Sequence, residues 1–275
     1  MIPFFKKIRK KLADDNPPDG RAGKPMKYLR YAIGEIVLVM IGILLALQVN
    51  NWNEERKEHS KIIKYAKSLI LDLEADIAET KIRLGQVEGI IMSLDSLTSY
   101  VRYKNINEIS NLDVFILSRY LIYRPHQWNR STIDALKSSG GLNYVRNDLL
   151  SKKIVEYYAI TQHLEQDFEG DKSYSEYATQ QIAQVINVNY EYGNQYQTHP
   201  VRLTSLADLK KMPVYKELQL AKLNLLTNDM DKFNIVINSL VPLNRNMRVR
   251  KNIEFSGLIK DAEELILLLK KEYHD

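Results

Sequence analysis

Hydrophobic positions along this chain change their spacing twice. From Tyr31 to Val49 they are almost continuous: YAIGEIVLVMIGILLALQV carries a single charged group, Glu35. At a helical rise of ~1.5 Å per residue this stretch spans ~29 Å, close to the thickness of a hydrocarbon core. Between Ile36 and Leu47 there are nine Ile, Val or Leu residues. At roughly −0.3 to −0.6 kcal/mol each they offset one carboxylate, which costs ~3 kcal/mol at mid-membrane and less near the end of a span. A buried core helix would be shorter or carry a polar stripe. The pattern predicts a transmembrane helix.

From Glu54 to Val101 the chain has no proline and the apolar positions become periodic. Ile62, Ala66, Leu69 and Leu73 step by four, three and four. After an extra step of four, the series resumes as Ile77, Thr80, Leu84, Val87, Ile91, Leu94, Thr98 and Val101. That extra step is a stutter, which unwinds a supercoil locally without ending the helix. Two readings stay open. One is a self-associating coiled coil, and the other a long amphipathic helix packed in its own domain. The flanking charges are not systematically complementary, which favours the second.

The remainder also reads as helix. Asn111 is placed to cap LDVFILSRYLIY, which Pro125 stops. Ser131 to Asp134 has capping-box spacing before a short helix that closes at Gly140-Gly141. Residues 148–188 carry apolar residues at helical intervals, with a break expected at Gly170. Asn189 to Arg202 is polar, contains Gly193 and Pro200, and reads as a loop. Ser205 to Asp208 is a further capping box, Pro213 opens a helix that Pro242 kinks or divides, and Leu258 to Tyr273 ends the chain amphipathically. No strand pattern appears. The expected fold is all-α: one N-terminal transmembrane helix continuing into a long amphipathic helix, plus an extramembrane helical bundle. The expected divisions are 1–30 for a basic tail, 31–49 for the span, 50–101 for the membrane-proximal helix and 102–275 for the bundle.

Charge gives this arrangement a direction. Residues 1–30 hold nine Lys or Arg against three Asp, a net of +6; the whole chain is +5, so residues 31–275 carry −1. A basic excess parked beside a membrane helix reads as a positive-inside signal rather than as a nucleic-acid surface. The N-terminus is therefore expected in the cytoplasm and the C-terminal domain on the far side of the membrane. The residues after Leu44 offer no small-x-small cleavage site, so a retained anchor fits better than a cleaved leader. In the tail, Met1, Phe5, Ile8 and Leu12 fall at helical spacing opposite Lys6, Lys7, Arg9, Lys10 and Lys11, the pattern of a short helix lying on lipid headgroups. A disordered basic tail that only sets orientation is the alternative.

The segment YAIGEIVLVMIGILLALQVNNWNEERK, preceded by FFKKIRKKL and followed by NRSTIDALKSSGGLNYVRN and KKIVEYY, resembles a family of uncharacterised bacterial membrane proteins built on a domain of unknown function. The resemblance implies a single-pass anchor in a bacterial inner membrane and a helical extramembrane domain. It carries over no activity. The linker from Asn16 to Pro25 is longer than is usual in that family.

Candidate chemistry is sparse. The chain has no cysteine, which excludes disulfides, thiol catalysis and thiolate metal sites. Its five histidines are scattered. His163 with Glu165 and Asp167 is the nearest approach to a metal cluster, yet those three do not share one helical face. Tyr157, Tyr158, Tyr174 and Tyr177 are candidates for a ligand pocket or for half-buried bundle positions. No convergent catalytic set emerges, and no cofactor is expected. Glu35 is the polar residue whose position costs most. On a helix it shares a stripe with Gly42, Ala46 and Asn53, small or polar residues that permit close helix approach. The stripe reads as a helix–helix interface, with a carboxylate snorkelling to the headgroups or an ion or proton relay as the alternatives.

The sequence thus points to a single-pass membrane protein acting through interactions, as a scaffold or accessory subunit. Its partners would be membrane lipids and a second copy or another membrane protein, with no nucleic acid. The alternative is a periplasmic helical-bundle sensor that signals through a partner.

Overall fold

A computed structural model describes residues 24–190 and 206–273. The basic tail with Lys6, Lys7, Arg9, Lys10 and Lys11, and most of the Asn189–Arg202 loop, lie outside the described residues. The described residues form helices joined by loops, with no strand among them. The chain divides into two compact units, Met1–Lys61 and Ile62–Asp275.

Helix α1 runs from Lys24 to Arg102 without interruption. Pro25 is its second residue, where the missing N–H would have had no intrahelical partner. In the first unit its most apolar eighteen-residue stretch has a mean hydropathy of 2.4 and none of it is buried. Ile36, Leu44 and Val49 are each more than half exposed. A core helix of a soluble domain would be covered, so this stretch is long and apolar enough to cross a membrane. At its end, Asn50 donates to Glu54 at 3.2 Å and the Arg56 guanidinium lies 5.7 Å from the Trp52 ring centre.

In the second unit the periodic series of α1 turns inward. Ile62, Ala66, Leu69, Leu73, Val87, Leu94 and Val101 are all buried in one apolar core. Of the two readings of this helix, the one packed in its own domain describes these residues. The helix also runs straight through the stutter and through Gly85 and Gly89.

Around α1 lie α2 (Asn111–Leu117), α3 (Ser131–Ser138), α4 (Asp148–Ala183), α5 (Leu206–Leu209), α6 (Pro213–Gln219), α7 (Met230–Val249) and α8 (Ser256–Tyr273), with α4 packed against both α7 and α8. Several sequence expectations shift here. The cap of α2 is Ser110, whose side chain accepts from Asp113 N–H, while Asn111 is buried and bonds to Asn187 and Tyr190. That helix stops at Leu117, where Ser118 Oγ turns back to the Val114 carbonyl at 2.7 Å; the chain then runs extended and sends Leu121, Tyr123 and Trp128 into the core. Helix α3 starts at Ser131 itself, behind Arg130 at the cap position with no side-chain cap bond, and Asn129 accepts from both the N–H and the hydroxyl of Ser131. Gly140 adopts φ 68° after that helix, the left-handed conformation a helix end favours. Helix α4 continues through Gly170, which is exposed and meets nothing that requires a break. Pro213 does open α6, but that helix ends at Gln219 and Pro242 belongs to a separate helix, α7.

Pro242 sits within α7 without ending it. The irregularity comes eight residues later, as a π-turn over Arg250–Phe255 that leads directly into α8. The buried positions explain it. Phe233, Val236, Leu240, Leu243, Met247 and Arg250 step by three or four, then the next buried residue, Phe255, is five away. Leu258, Ala262, Leu265 and Leu269 resume the usual steps. A wider turn absorbs the extra residue and returns α8 to the same core.

Candidate functional site

The extended segment that follows α2 forms one wall of a cleft of about 960 Å³. Pro125 commits this segment to an extended path by restricting its own φ and the conformation of Arg124 before it. The opposite wall is a single face of α4, where Leu164, Glu165, Phe168, Glu169, Lys172, Ser175 and Glu176 recur at steps of one and three. Arg83 of α1 and Phe255 of the π-turn complete the lining with Ile122, Tyr123, Arg124, His126, Gln127, Trp128 and Arg130. The volume is at the upper end of the ~300–1,000 Å³ typical of small-molecule sites.

Aromatic rings make much of the cleft. Tyr123 stands edge-on to Phe168 and Phe255 at centroid distances of 5.3 and 5.6 Å, and His126 is edge-on to Trp128 at 4.7 Å. Offset and edge-to-face arrangements of this kind hold rings in place. Basic groups ring them. Arg130 pairs with Glu165 at 2.9 Å and Arg83 with Glu79 at 3.1 Å. Arg83 Nε, Arg130 Nε and His126 Nε2 are buried and have no hydrogen-bond partner among the described residues. A buried polar atom left without a partner costs about 1–3 kcal/mol. Burial lowers the His126 pKa, Glu79 opposing and Arg83 adding to the shift, so the imidazole is neutral at pH 7.

Beneath the cleft the Tyr123 hydroxyl donates to Asp171 Oδ2 at 3.1 Å. The same oxygen accepts from Arg250 Nε at 2.8 Å, and Asn246 donates to Oδ1 at 3.1 Å. Arg250 Nη1 reaches Asp167 at 3.0 Å and also bonds Glu254. Burial acts against the charge of this guanidinium, but its bonds to Glu254 and Asp171 outweigh that and hold its pKa above the ordinary arginine value. Burial, then the Asp171 charge, raises the Tyr123 pKa, so that residue is a neutral donor. The hub therefore clamps α4, the π-turn and the cleft wall together.

Three more buried carboxylates tie distant segments together. Asp76 accepts from Tyr157 at 3.0 Å, while its neighbour Asp72 accepts from Asn129 at 2.6 Å. Asp113 accepts from Tyr215 at 2.7 Å and from Lys210 at 2.8 Å. Burial raises Asp76 to a pKa of about 6, with the bonds from Tyr157 and Asn129 opposing and the Asp72 charge adding to the rise.

The residues singled out from sequence land elsewhere. Tyr157 and Tyr158 are buried in the core, and Tyr174 and Tyr177 are exposed; none of the four lines the cleft. His163 and Asp167 do approach one another, at 3.1 Å, but Glu165 turns away to Arg130 and Glu254 takes its place. His163, Asp167 and Glu254 offer ligand atoms within 4.8 Å of one another, which resembles a cation site. Arg250 Nη1 already supplies the positive charge there. Ser138 and Ser139 turn back to carbonyls of their own helix, as hydroxyls at a helix end do. In the first unit Glu35 and Ala46 are exposed, Gly42 and Asn53 half-exposed, and a Cβ on Gly42 would meet nothing within 4 Å. The cleft residues were missed because its two walls are about 40 residues apart in sequence and neither forms a short motif. The run Arg124-Pro-His-Gln-Trp128 was the available signal, a proline-fixed loop mixing basic and aromatic groups.

Residues 35–116 match a family of unknown function (DUF6090). The match covers the apolar stretch from Glu35 onward, the rest of α1 and nearly all of α2. No curated protein and no solved structure matches the chain.

Proposed function

We propose that this chain is a single-pass inner-membrane protein whose helical domain binds a small amphipathic ligand on the periplasmic side, a sensor that signals through a partner. The cleft carries this reading. It joins an aromatic floor to basic groups whose buried nitrogens lack partners, the combination of apolar body and few convergent polar groups that small-molecule sites use. The uncovered apolar stretch of α1 supports anchoring, and the +6 tail supports a cytoplasmic N-terminus. The stripe of Glu35, Gly42, Ala46 and Asn53 is proposed as the helix–helix contact to the partner. Lys6, Lys7, Arg9, Lys10 and Lys11 are proposed to hold anionic headgroups.

The test uses the full chain in detergent, followed by thermal unfolding with a set of small amphipathic compounds. Some members should raise Tm saturably, as binding to the native state requires. Glu169→Trp, which puts an indole at the exposed rim, should remove the response without lowering the unliganded Tm. No response, or one unchanged in Glu169→Trp, overturns the reading. Topology is checked separately: a periplasm-dependent reporter fused after Asp275 should be active and a cytoplasm-dependent one silent.

One observation favours the scaffold reading. On the outer face of α1, Leu71, Ala75, Ala78, Ile82 and Gly85 are exposed and spaced by four and three, an uncharged stripe suited to a second copy of the chain. A cysteine at Ile82 should then cross-link to its copy in membranes far better than one at the charged Lys81; equal cross-linking removes this reading.

A further inference from the structure

The charges around the cleft leave an uneven remainder once they are paired. Seven charged side chains line it: Arg83, Arg124, Arg130, Glu165, Glu169, Lys172 and Glu176. Arg83 is held by Glu79, Arg130 by Glu165, and Lys172 by Glu169 at 3.8 Å. Among the described residues, one cation and one anion remain without a side-chain partner, Arg124 on the loop wall and Glu176 on the α4 wall. Each faces the cleft from an opposite side, with the rings of Tyr123, Trp128 and Phe168 in the lining. A ligand bearing only a carboxylate would leave Glu176 repelling it, and one bearing only an ammonium group would leave Arg124 doing the same. A ligand with both groups and an aromatic body matches both unpaired charges and the rings between them. A planar guanidinium offers paired donors to a carboxylate, and an ammonium on a carboxylate is the matching charged contact.

We propose that the cleft takes a zwitterion bearing an aromatic side group, an amino acid or a short peptide, with its carboxylate on Arg124 and its ammonium on Glu176. This rests on the ligand-binding reading of the cleft given above. An amino acid and a peptide share the chemistry and differ in the separation of their two charged ends.

Calorimetric titration of the full chain in detergent tests it with L-phenylalanine and with diphenylalanine, each beside its deaminated acid and decarboxylated amine. For at least one of the two series, the zwitterion should bind tenfold or more tighter than either truncated form, and the tighter series identifies the source. Arg124→Gln should abolish the preference over the amine and leave the preference over the acid; Glu176→Gln should do the reverse. Both side chains are exposed, so both variants should keep the unliganded Tm. If the acid or the amine binds as tightly as the zwitterion, the ligand class is wrong while the cleft remains a binding site. Preferences unchanged in the two variants overturn the assignment of Arg124 and Glu176. If nothing in these series binds, the zwitterion assignment falls. If the wider amphipathic set is also silent, the binding reading falls with it.

Discussion

Arg250 Nε donates to Asp171 Oδ2 at 2.8 Å, and that carboxylate has no exposure to solvent. A buried ion pair of this kind is costly to form, and costlier to break from one side, because the surviving charge is left in a poorly solvated place. Asp171→Ala should therefore destabilise the domain by about 3–5 kcal/mol. The double variant Asp171→Leu with Arg250→Met should recover part of that loss. Chemical denaturation of the full chain in detergent measures both, and a double variant less stable than Asp171→Ala would contradict the account.

Asp76 sets a pH dependence with a definite sign. Its carboxyl is raised from 3.8 to about 6 in the folded domain, chiefly by burial. The folded state then binds a proton more tightly than the unfolded chain, so this site's stabilisation is complete below pH 3.8 and is lost as pH rises to about 6. The loss amounts to roughly 2–3 kcal/mol, at ~1.4 kcal/mol per unit. Asp76→Asn should flatten that part of the profile and be more stable than wild type at pH 7 and above. Denaturation midpoints between pH 4 and 8 decide it; parallel profiles would remove Asp76 as the cause.

Two adjacent glycines fail for different reasons when substituted. Gly140→Ala meets no neighbour but must hold φ 68°, which costs about 1 kcal/mol for a residue with a Cβ. Gly141→Ala would bring its Cβ to 2.9 Å from Leu136 Cδ1 and 3.2 Å from the Leu136 carbonyl oxygen, against a side chain that is fully buried. Overpacking there should cost about 1–3 kcal/mol. Gly140→Asn should be milder than Gly140→Ala because asparagine tolerates the left-handed region, whereas Gly141→Asn should be worse than Gly141→Ala. Thermal unfolding of the four variants gives the order.

Leu71 and Leu73, two residues apart on α1, should respond oppositely to truncation. Leu73 has no exposure and Leu71 is 66% exposed. Leu73→Ala should cost about 2–5 kcal/mol through lost burial and a residual cavity. Leu71→Ala should stay within about 0.5 kcal/mol of wild type. Equal losses would mean that the outer face is covered in the full chain.

The helical content of the domain was legible because its signals are local. The inward series from Ile62 to Val101 needs only a spacing of three and four, and Pro213 opens α6 through its own fixed φ. Helix ends were less legible, since Ser110 competes with Asn111 as a cap and α3 starts behind Arg130, which supplies no side-chain cap at all. Gly170 and Pro242 are breakers by propensity, yet burial along α4 and α7 on either side outweighs one weak residue. The hub around Arg250 was invisible, because Tyr123, Asp171 and Arg250 come from distant segments and charged residues ordinarily read as surface. The step of five between Arg250 and Phe255 was present in the pattern, but shows as a π-turn only once both flanking helices are known to face one core.

That surplus residue gives α7 and α8 separate rotational phases along what is otherwise a continuous rod. A helix advances by ~100° per residue, so regular α-turns carried through all six residues of Arg250–Phe255 would put everything beyond them about that angle out of phase. Leu258, Ala262, Leu265 and Leu269 would swing toward water, although no side chain among them had changed. The turn therefore acts as a phase corrector between the two rods, and Arg250, at its first position, is locked to α4 before the correction begins. The orientation of the C-terminal helix is thus set by the residue count at one turn, as firmly as by the apolar face that it buries.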